Sequence, residues 1–327
     1  MQQRNLGRTG RDVSAIGLGT WQLGADWGDV SEDEARALLA ASVDAGVTLF
    51  DTADVYGDGR SEQLIGAFLA DRRDAGVFVA TKMGRREAQL PENYTPENFR
   101  AWTDRSRANL GVDTLDLVQL HCPPTEVYST DAVFDALDTM VEEKRIAAYG
   151  LSVETCGEAL TAIARPNVAS VQIILNAFRL KPLDEVLPAA QAAGVGIIAR
   201  VPLASGLLSG KYDENTTFSA DDHRNYNRKG ESFDVGETFS GVDFSTGLEA
   251  VSRLRPLVPT GATMAQFALR WIIDQPGVSV VIPGARNPEQ VAGNIGAASL
   301  DPLSDDALAA VRAVYDELIR SQVHDRW

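Results

Sequence analysis

Residues 31–53 read SEDEARALLAASVDAGVTLFDTA, and the pattern in this stretch sets the fold class. Its first sixteen residues carry apolar side chains at helical spacing. Ser31 and Glu34 form a candidate capping box, and Gly46 stands where a C-terminal glycine belongs. The chain then passes into VTLFDTA, a nearly continuous apolar run of the kind expected of a parallel strand covered on both faces.

The same alternation recurs along the chain. Strand candidates lie at 13–20, 47–53, 77–83, 115–121, 146–152, 168–176, 195–201 and 278–284. Helical patterns lie at 31–46, 61–70, 95–110, 129–143, 154–164, 184–193, 263–274 and 288–296. Eight strand–helix units in 327 residues fit one (β/α)8 TIM barrel, an α/β fold, over residues 1–327. The competing architecture is a doubly wound open sheet. No GxGxxG follows the first strand, which weakens its Rossmann form. Three segments fall outside the units. Residues 1–12, with Gly7 and Gly10, suit an N-terminal β-hairpin closing the barrel floor. Residues 212–245 form a long polar segment after the seventh strand, a length that points to function or mobility. Residues 304–319 read as an extra C-terminal helix capped by Ser304.

Composition narrows the function classes. The formal net charge of −16 disfavours nucleic acid, whose binding draws mainly on Lys and Arg. Any anionic ligand must be held by local cations or backbone N–H groups. No apolar run approaches a membrane span, and no secretory h-region is present, so the expected location is the cytoplasm. Cys122 and Cys156 argue against a disulfide framework, and His121, His223 and His324 lack metal-ligand spacing, so no metal site is expected. The sequence leaves the oligomeric state open.

Catalytic residues of such barrels sit at the C-terminal ends of strands. The second strand runs into Asp51, with Tyr56 in the following loop; the third ends at Lys82 and the fourth at His121. Taken singly, Asp51 could cap a turn, Tyr56 could be a surface aromatic, Lys82 could be solvated, and His121 could be a satisfied core residue. Together they suggest an ion pair that brings positive charge near a phenol. A tyrosine, ordinarily with a pKa of about 10, becomes a usable proton donor when an ammonium stabilises its phenolate. Asp51 would orient Lys82, and His121 would direct a carbonyl oxygen. No nucleophile lies beside a base, so acyl transfer is not favoured.

The motifs GLGTW (17–21), FDTADVYG (50–57), ATKMG (80–84), LVQLH (117–121), GLS (150–152), PLASGLLSGKY (202–212) and IPGARNPEQVAGN (282–294) together resemble the aldo-keto reductases in order and spacing. The resemblance covers nearly the whole chain. It implies a (β/α)8 barrel that binds NADP(H) without a Rossmann domain, and a catalytic tetrad of Asp51, Tyr56, Lys82 and His121. In that tetrad Tyr56 is the general acid/base and Lys82 lowers its pKa.

Gly19, Thr20 and Trp21 match the first rim motif, and Ser152 and Gln172 the residues that hold the nicotinamide carboxamide. Val153 stands where many members have asparagine. Arg200 replaces the usual aromatic that stacks on nicotinamide; it could stack in its place or turn to a phosphate or carboxylate. Leu203, Ser205, Gly206, Leu208, Gly210 and Lys211 match the pyrophosphate loop, with 212–245 as its cover. Gly284 and Arg286 match the 2′-phosphate site, and Gln290 and Asn294 the adenine site. Arg286 argues for NADP(H), although it could stack on adenine, and NAD(H) stays open.

The resemblance implies a small carbonyl substrate, with Trp21, Trp27, Arg85, Arg86 and Tyr94 in the variable rim loops. The alternatives are NAD(P)+-dependent oxidation of a sugar or alcohol on the same site, and a non-catalytic cofactor-binding regulator resembling the potassium-channel β-subunits.

Overall fold

The computed structural model describes residues 1–24, 30–220 and 222–327; Trp27 lies outside them. Ser31 caps helix α1 (Glu32–Asp44) through the expected reciprocal box with Glu34. The strand that follows, β4 (Leu49–Asp51), is wholly buried. It belongs to an eight-stranded parallel sheet running β3 (Leu18–Gly19), β4, β5 (Phe78–Met83), β6 (Leu117–His121), β7 (Tyr149–Ser152), β8 (Ser170–Ile174), β9 (Gly196–Arg200) and β10 (Val278–Val281). Parallel bridges from Ile16 to Val281 and from Gly19 to Gly284 join the first and last strands, so the sheet curls round on itself.

The helices covering the sheet are α1, α2 (Arg60–Asp71), α3 (Pro96–Leu110), α4 (Asp131–Glu142), α5 (Cys156–Ile163), α6 (Val186–Ala193), α9 (Met264–Ile273) and α10 (Pro288–Gly296). All eight expected helices are present within a few residues of their expected bounds. Between α6 and α9 lie a single turn, α7 (His223–Tyr226), and α8 (Phe244–Leu254). Helix α8 was not anticipated. The extra C-terminal helix is α11 (Asp305–Val314), capped by Ser304 as expected and continuing into a π-helical turn over Tyr315–Ile319.

The candidate strand at 13–20 divides. Its first part pairs as β2 (Asp12–Ser14) with β1 (Gln3–Asn5) in an antiparallel hairpin, and its second, from the Ile16 bridge to Leu18–Gly19, joins the barrel. The hairpin does close the floor. Arg8 donates to the carbonyls of Val168 and Ala193, and Arg4 to that of Val278, all at or just before the strand starts. Leu6 and Val13 pack beneath Leu49, Phe78, Leu117, Ile198 and Val280, which fill the barrel bottom. With the floor sealed, the opposite mouth is the accessible end. In-register pairing there aligns Gly19 with Asp51, His121 with Ser152, and Ser152 with Gln172. Among the described residues no helix is long and apolar enough to cross a membrane.

Candidate active site

Lys82 and Asp51, at the ends of adjacent strands, form an ion pair 2.5 Å long, with side chains 1% and 4% exposed. Lys82 Nζ also donates to the Thr52 carbonyl at 2.9 Å. The second Asp51 oxygen accepts from Gln172 Nε2 at 2.7 Å and Gln119 Nε2 at 3.3 Å. The Asp51 carbonyl takes both the N–H and the hydroxyl of Thr20. Asp51 is therefore fixed through both carboxylate oxygens and its main chain. Gln119 was not singled out from the sequence, yet it lies two positions before His121, on the same strand face.

The tyrosine is delivered by the turn after β4. Its conformation requires glycine at position 57, where φ is +59° and a Cβ would come within 2.2 Å of the Gly24 carbonyl oxygen. The Tyr56 ring sits 5.2 Å from Lys82 Nζ, 6.0 Å from the His121 ring in an edge-on arrangement, and 6.2 Å from Trp21, nearly parallel to it. The four residues named from the strand ends thus converge.

Burial outweighs the expected lowering of the Tyr56 pKa by Lys82. Burial raises the Tyr56 pKa above its ordinary value; Lys82 opposes this without overcoming it, and Asp51 and Glu237 add to the rise. The phenol therefore stays protonated at neutral pH. Burial works against the Lys82 charge, but Asp51 and Tyr56 more than offset it, and its pKa lies above the usual lysine value. Burial, followed by Arg85, Lys82 and Arg200, holds His121 well below its ordinary value, so the imidazole is neutral. Its Nδ1 is buried without a hydrogen-bond partner among the described residues.

Arg200 turns to carboxylates, the second of the alternatives read from the sequence, rather than lying free for stacking. It donates to the Val153 carbonyl at 2.9 Å and pairs with Glu154 at 3.1 Å and with Glu237. Arg85 reaches the other Glu154 oxygen at 3.5 Å and donates to the His121 carbonyl at 2.9 Å. Burial of Arg200 is outweighed by the two carboxylates, so its pKa stands well above the usual value. Glu154 and Glu237 were missed in the sequence because both lie outside the strand ends. The Val153 side chain is fully buried and offers no polar contact, as its replacement of asparagine suggested.

A cavity of about 560 Å³ opens over these groups. It is lined by Gly19, Thr20, Trp21, Asp51, Tyr56 and His121 on one side and by Ser152, Gln172, Arg200, Leu203, Ser205 and Gly206 on the other. Gly284, Arg286 and Gln290 extend it toward α10. Leu208, Gly210, Lys211 and Asn294 do not line it. Leu208 is buried in the core, Gly210 packs near Met264, Lys211 is exposed, and Asn294 donates to the Gly284 carbonyl. The 212–245 segment supplies His223, Phe233 and Glu237 to the cavity wall. His223 was noted in the sequence only for its lack of metal spacing. No cluster of His, Cys, Asp or Glu suited to a metal occurs among the described residues.

A parallel barrel with a lysine–aspartate pair, a protonated tyrosine and a neutral histidine at its mouth has the makings of a barrel oxidoreductase. The aldo/keto reductase family profile matches residues 15–316, and the chain belongs to that family. Aldo-keto reductase YhdN of Bacillus subtilis is 32% identical over 298 residues, covering 89% of this chain and 87% of that protein. A probable voltage-gated potassium channel subunit beta of Oryza sativa is 31% identical over 323 residues, with 93% of each covered. Among solved structures, the glycerol dehydrogenase of Gluconobacter oxydans has a TM-score of 0.80 at 29% identity, covering 97% of this chain and 96% of that one. An aldo-keto reductase of Klebsiella pneumoniae in complex with NADPH has a TM-score of 0.68 at 25% identity, with 96% of each covered.

Proposed function

We propose that this oxidoreductase reduces the carbonyl group of a small aldehyde or ketone with NADP(H), using Tyr56 as proton donor. The observation that carries the reading is the buried Lys82–Asp51 pair beside the Tyr56 phenol.

The cofactor fits the residues present. The cavity runs from the catalytic group past Ser205 and Gly206 to Arg286, and the orphaned His121 Nδ1 lies in a pocket prepared for a polar ligand. When bound, NADP(H) supplies the hydride. Ser152 and Gln172 would hold its carboxamide. Both Gln172 amide hydrogens are engaged, by Asp51 and Gln119, so its oxygen is the atom left to accept. Arg286 would meet the 2′-phosphate with its guanidinium fork.

Tyr56 gives its proton to the carbonyl oxygen, and Lys82 stabilises the phenolate that remains. Asp51 keeps Lys82 charged and oriented. Neutral His121 orients the carbonyl oxygen by a hydrogen bond. A phenol held protonated by burial suits donation, which favours reduction. Oxidation of an alcohol would use the same groups in reverse. The 212–245 segment would cover the cofactor, a role supported by its two ties to the barrel mouth: Glu237 on Arg200, and the Glu237 carbonyl on Ser205 Oγ at 2.7 Å.

The test is NADPH and NADH oxidation followed against aldehydes, dicarbonyls and sugars, for wild type and Arg286→Ala. NADPH oxidation is expected with at least one carbonyl class, and the variant is expected to weaken NADPH far more than NADH. Equal losses would show that Arg286 does not read the 2′-phosphate; no turnover with either cofactor would overturn the reductase reading.

A further inference from the structure

Two residues before Tyr56, the Asp54 side chain is completely buried, and among the described residues no side chain or well-aligned N–H meets either of its carboxylate oxygens. The Val55 backbone N–H supplies the smallest of the pulls toward the ionised form. The other buried carboxylates nearby are matched. Asp51 has Lys82; Glu62 accepts from Thr81 Oγ1 at 2.6 Å and from Asn109 Nδ2 at 2.9 Å. An isolated carboxylate in such a place is so costly that the group keeps its proton instead.

The groups that face Asp54 are Glu62 from α2, Arg86 from the loop after β5, Arg105 from α3, and Tyr94 from the β5–α3 connection. Burial and Glu62 push the Asp54 carboxyl up to about 7, against the pull of Arg86 and Arg105.

Both arginines are engaged elsewhere. Each donates at 2.7 Å to the same oxygen of Asp58, whose side chain is 75% exposed. Arg86 also donates to the Asp54 carbonyl at 3.2 Å. It thus staples the turn at residues 54 and 58, with Tyr56 midway between them. The Tyr56 N–H bonds the Ala53 carbonyl, and the Tyr56 carbonyl accepts from Ser61 N–H, so the backbone under the phenol is part of the stapled unit.

We propose that Asp54 is a positioning residue for Tyr56 which works as an uncharged carboxylic acid, and that its ionisation draws Arg86 and Arg105 away from Asp58 and shifts the turn presenting the phenol. The released proton goes to solvent. Among the described residues the carboxylate left behind has those two guanidiniums as compensating charges, and engaging them undoes the staple. This rests on the reading of Tyr56 as proton donor.

The test is the pH dependence of single-turnover NADPH oxidation by the full chain with a carbonyl substrate. In wild type the rate should fall with rising pH through an inflection at about 7. Asp54→Asn, equal in shape and permanently uncharged, should remove that inflection. Asp58→Ala, at an exposed position, removes the staple at every pH and should therefore remove the inflection as well.

Thermal unfolding gives a readout independent of turnover. The folded state binds the Asp54 proton more tightly than the unfolded state. Wild type should therefore lose stability relative to Asp54→Asn as pH rises from 3.8 to about 7, with a constant difference above that. An unchanged inflection in Asp54→Asn, or a stability difference that does not vary with pH, would overturn the proposal. If Asp54→Asn does not fold, the presence or loss of the inflection in Asp58→Ala decides alone. A Tyr56→Phe variant with full activity would sink the reading of Tyr56 while leaving the stability result standing.

Discussion

Lys82 is buried with its charge balanced by Asp51, and water cannot replace either partner. Lys82→Ala strands an uncompensated carboxylate, and breaking a buried pair from one side costs about 3–5 kcal/mol. Urea unfolding should show a loss of that size; a change within experimental error would mean that Asp51 finds another partner or a proton. At this scale the sequence was informative wherever a residue ended a strand, because a strand end has a known place in a barrel. Asp51, Lys82 and His121 were legible for that reason, and Tyr56 through its distance from Asp51. Gln119 was legible in principle from the two-residue strand period. Glu154 and Glu237 were not, since their meeting at Arg200 depends on how two connecting segments fold. The direction of the Tyr56 shift was also out of reach, because it depends on complete burial, which residue spacing does not report.

Among the elements, the segment after β9 departs most from expectation. It is tied down at its far side by Trp327. The indole N–H donates to both Asp234 oxygens at 3.1 and 3.2 Å, and the Arg179 guanidinium lies 3.7 Å from the ring centroid. A Cβ at Gly241 would strike the same ring at 2.5 Å. Trp327→Ala should therefore speed amide hydrogen exchange over residues 234–241 while leaving β5 and β6 unchanged, and NADPH should slow exchange across 212–245 in wild type. Exchange indifferent to both would deny the segment its anchor and its covering role. Helix α8 escaped detection because a glycine lowers helical propensity. A Cβ at Gly247 would come within 2.7 Å of the Leu207 side chain, which would have to shift. The strand at 13–20 was over-extended because one apolar run serves two pairings, first with the hairpin and then with the barrel.

In the whole molecule, the alternation of strand and helix was legible because covered parallel strands are apolar throughout and their helices are amphipathic. Closure of the ring through Ile16–Val281 and Gly19–Gly284 follows from that alternation only once the topology is known. The net charge of −16 required local cations for any anionic ligand, and the cavity carries Arg85, Arg200, Arg224 and Arg286. Arg85, Arg200 and Arg224 pair with protein carboxylates, as no charge count could reveal. The floor is sealed and the mouth gathers an acid, a lysine, a tyrosine and a histidine, so the chemistry is assigned to one end of the barrel.

The most direct test of this assignment is Tyr56→Phe, which removes one hydroxyl and keeps the ring between Trp21 and His121. NADPH affinity, read by fluorescence titration, should be unchanged, while carbonyl reduction falls by about 10²–10⁴-fold, the range for loss of a general acid. A variant that binds NADPH and turns over at the wild-type rate would contradict the account.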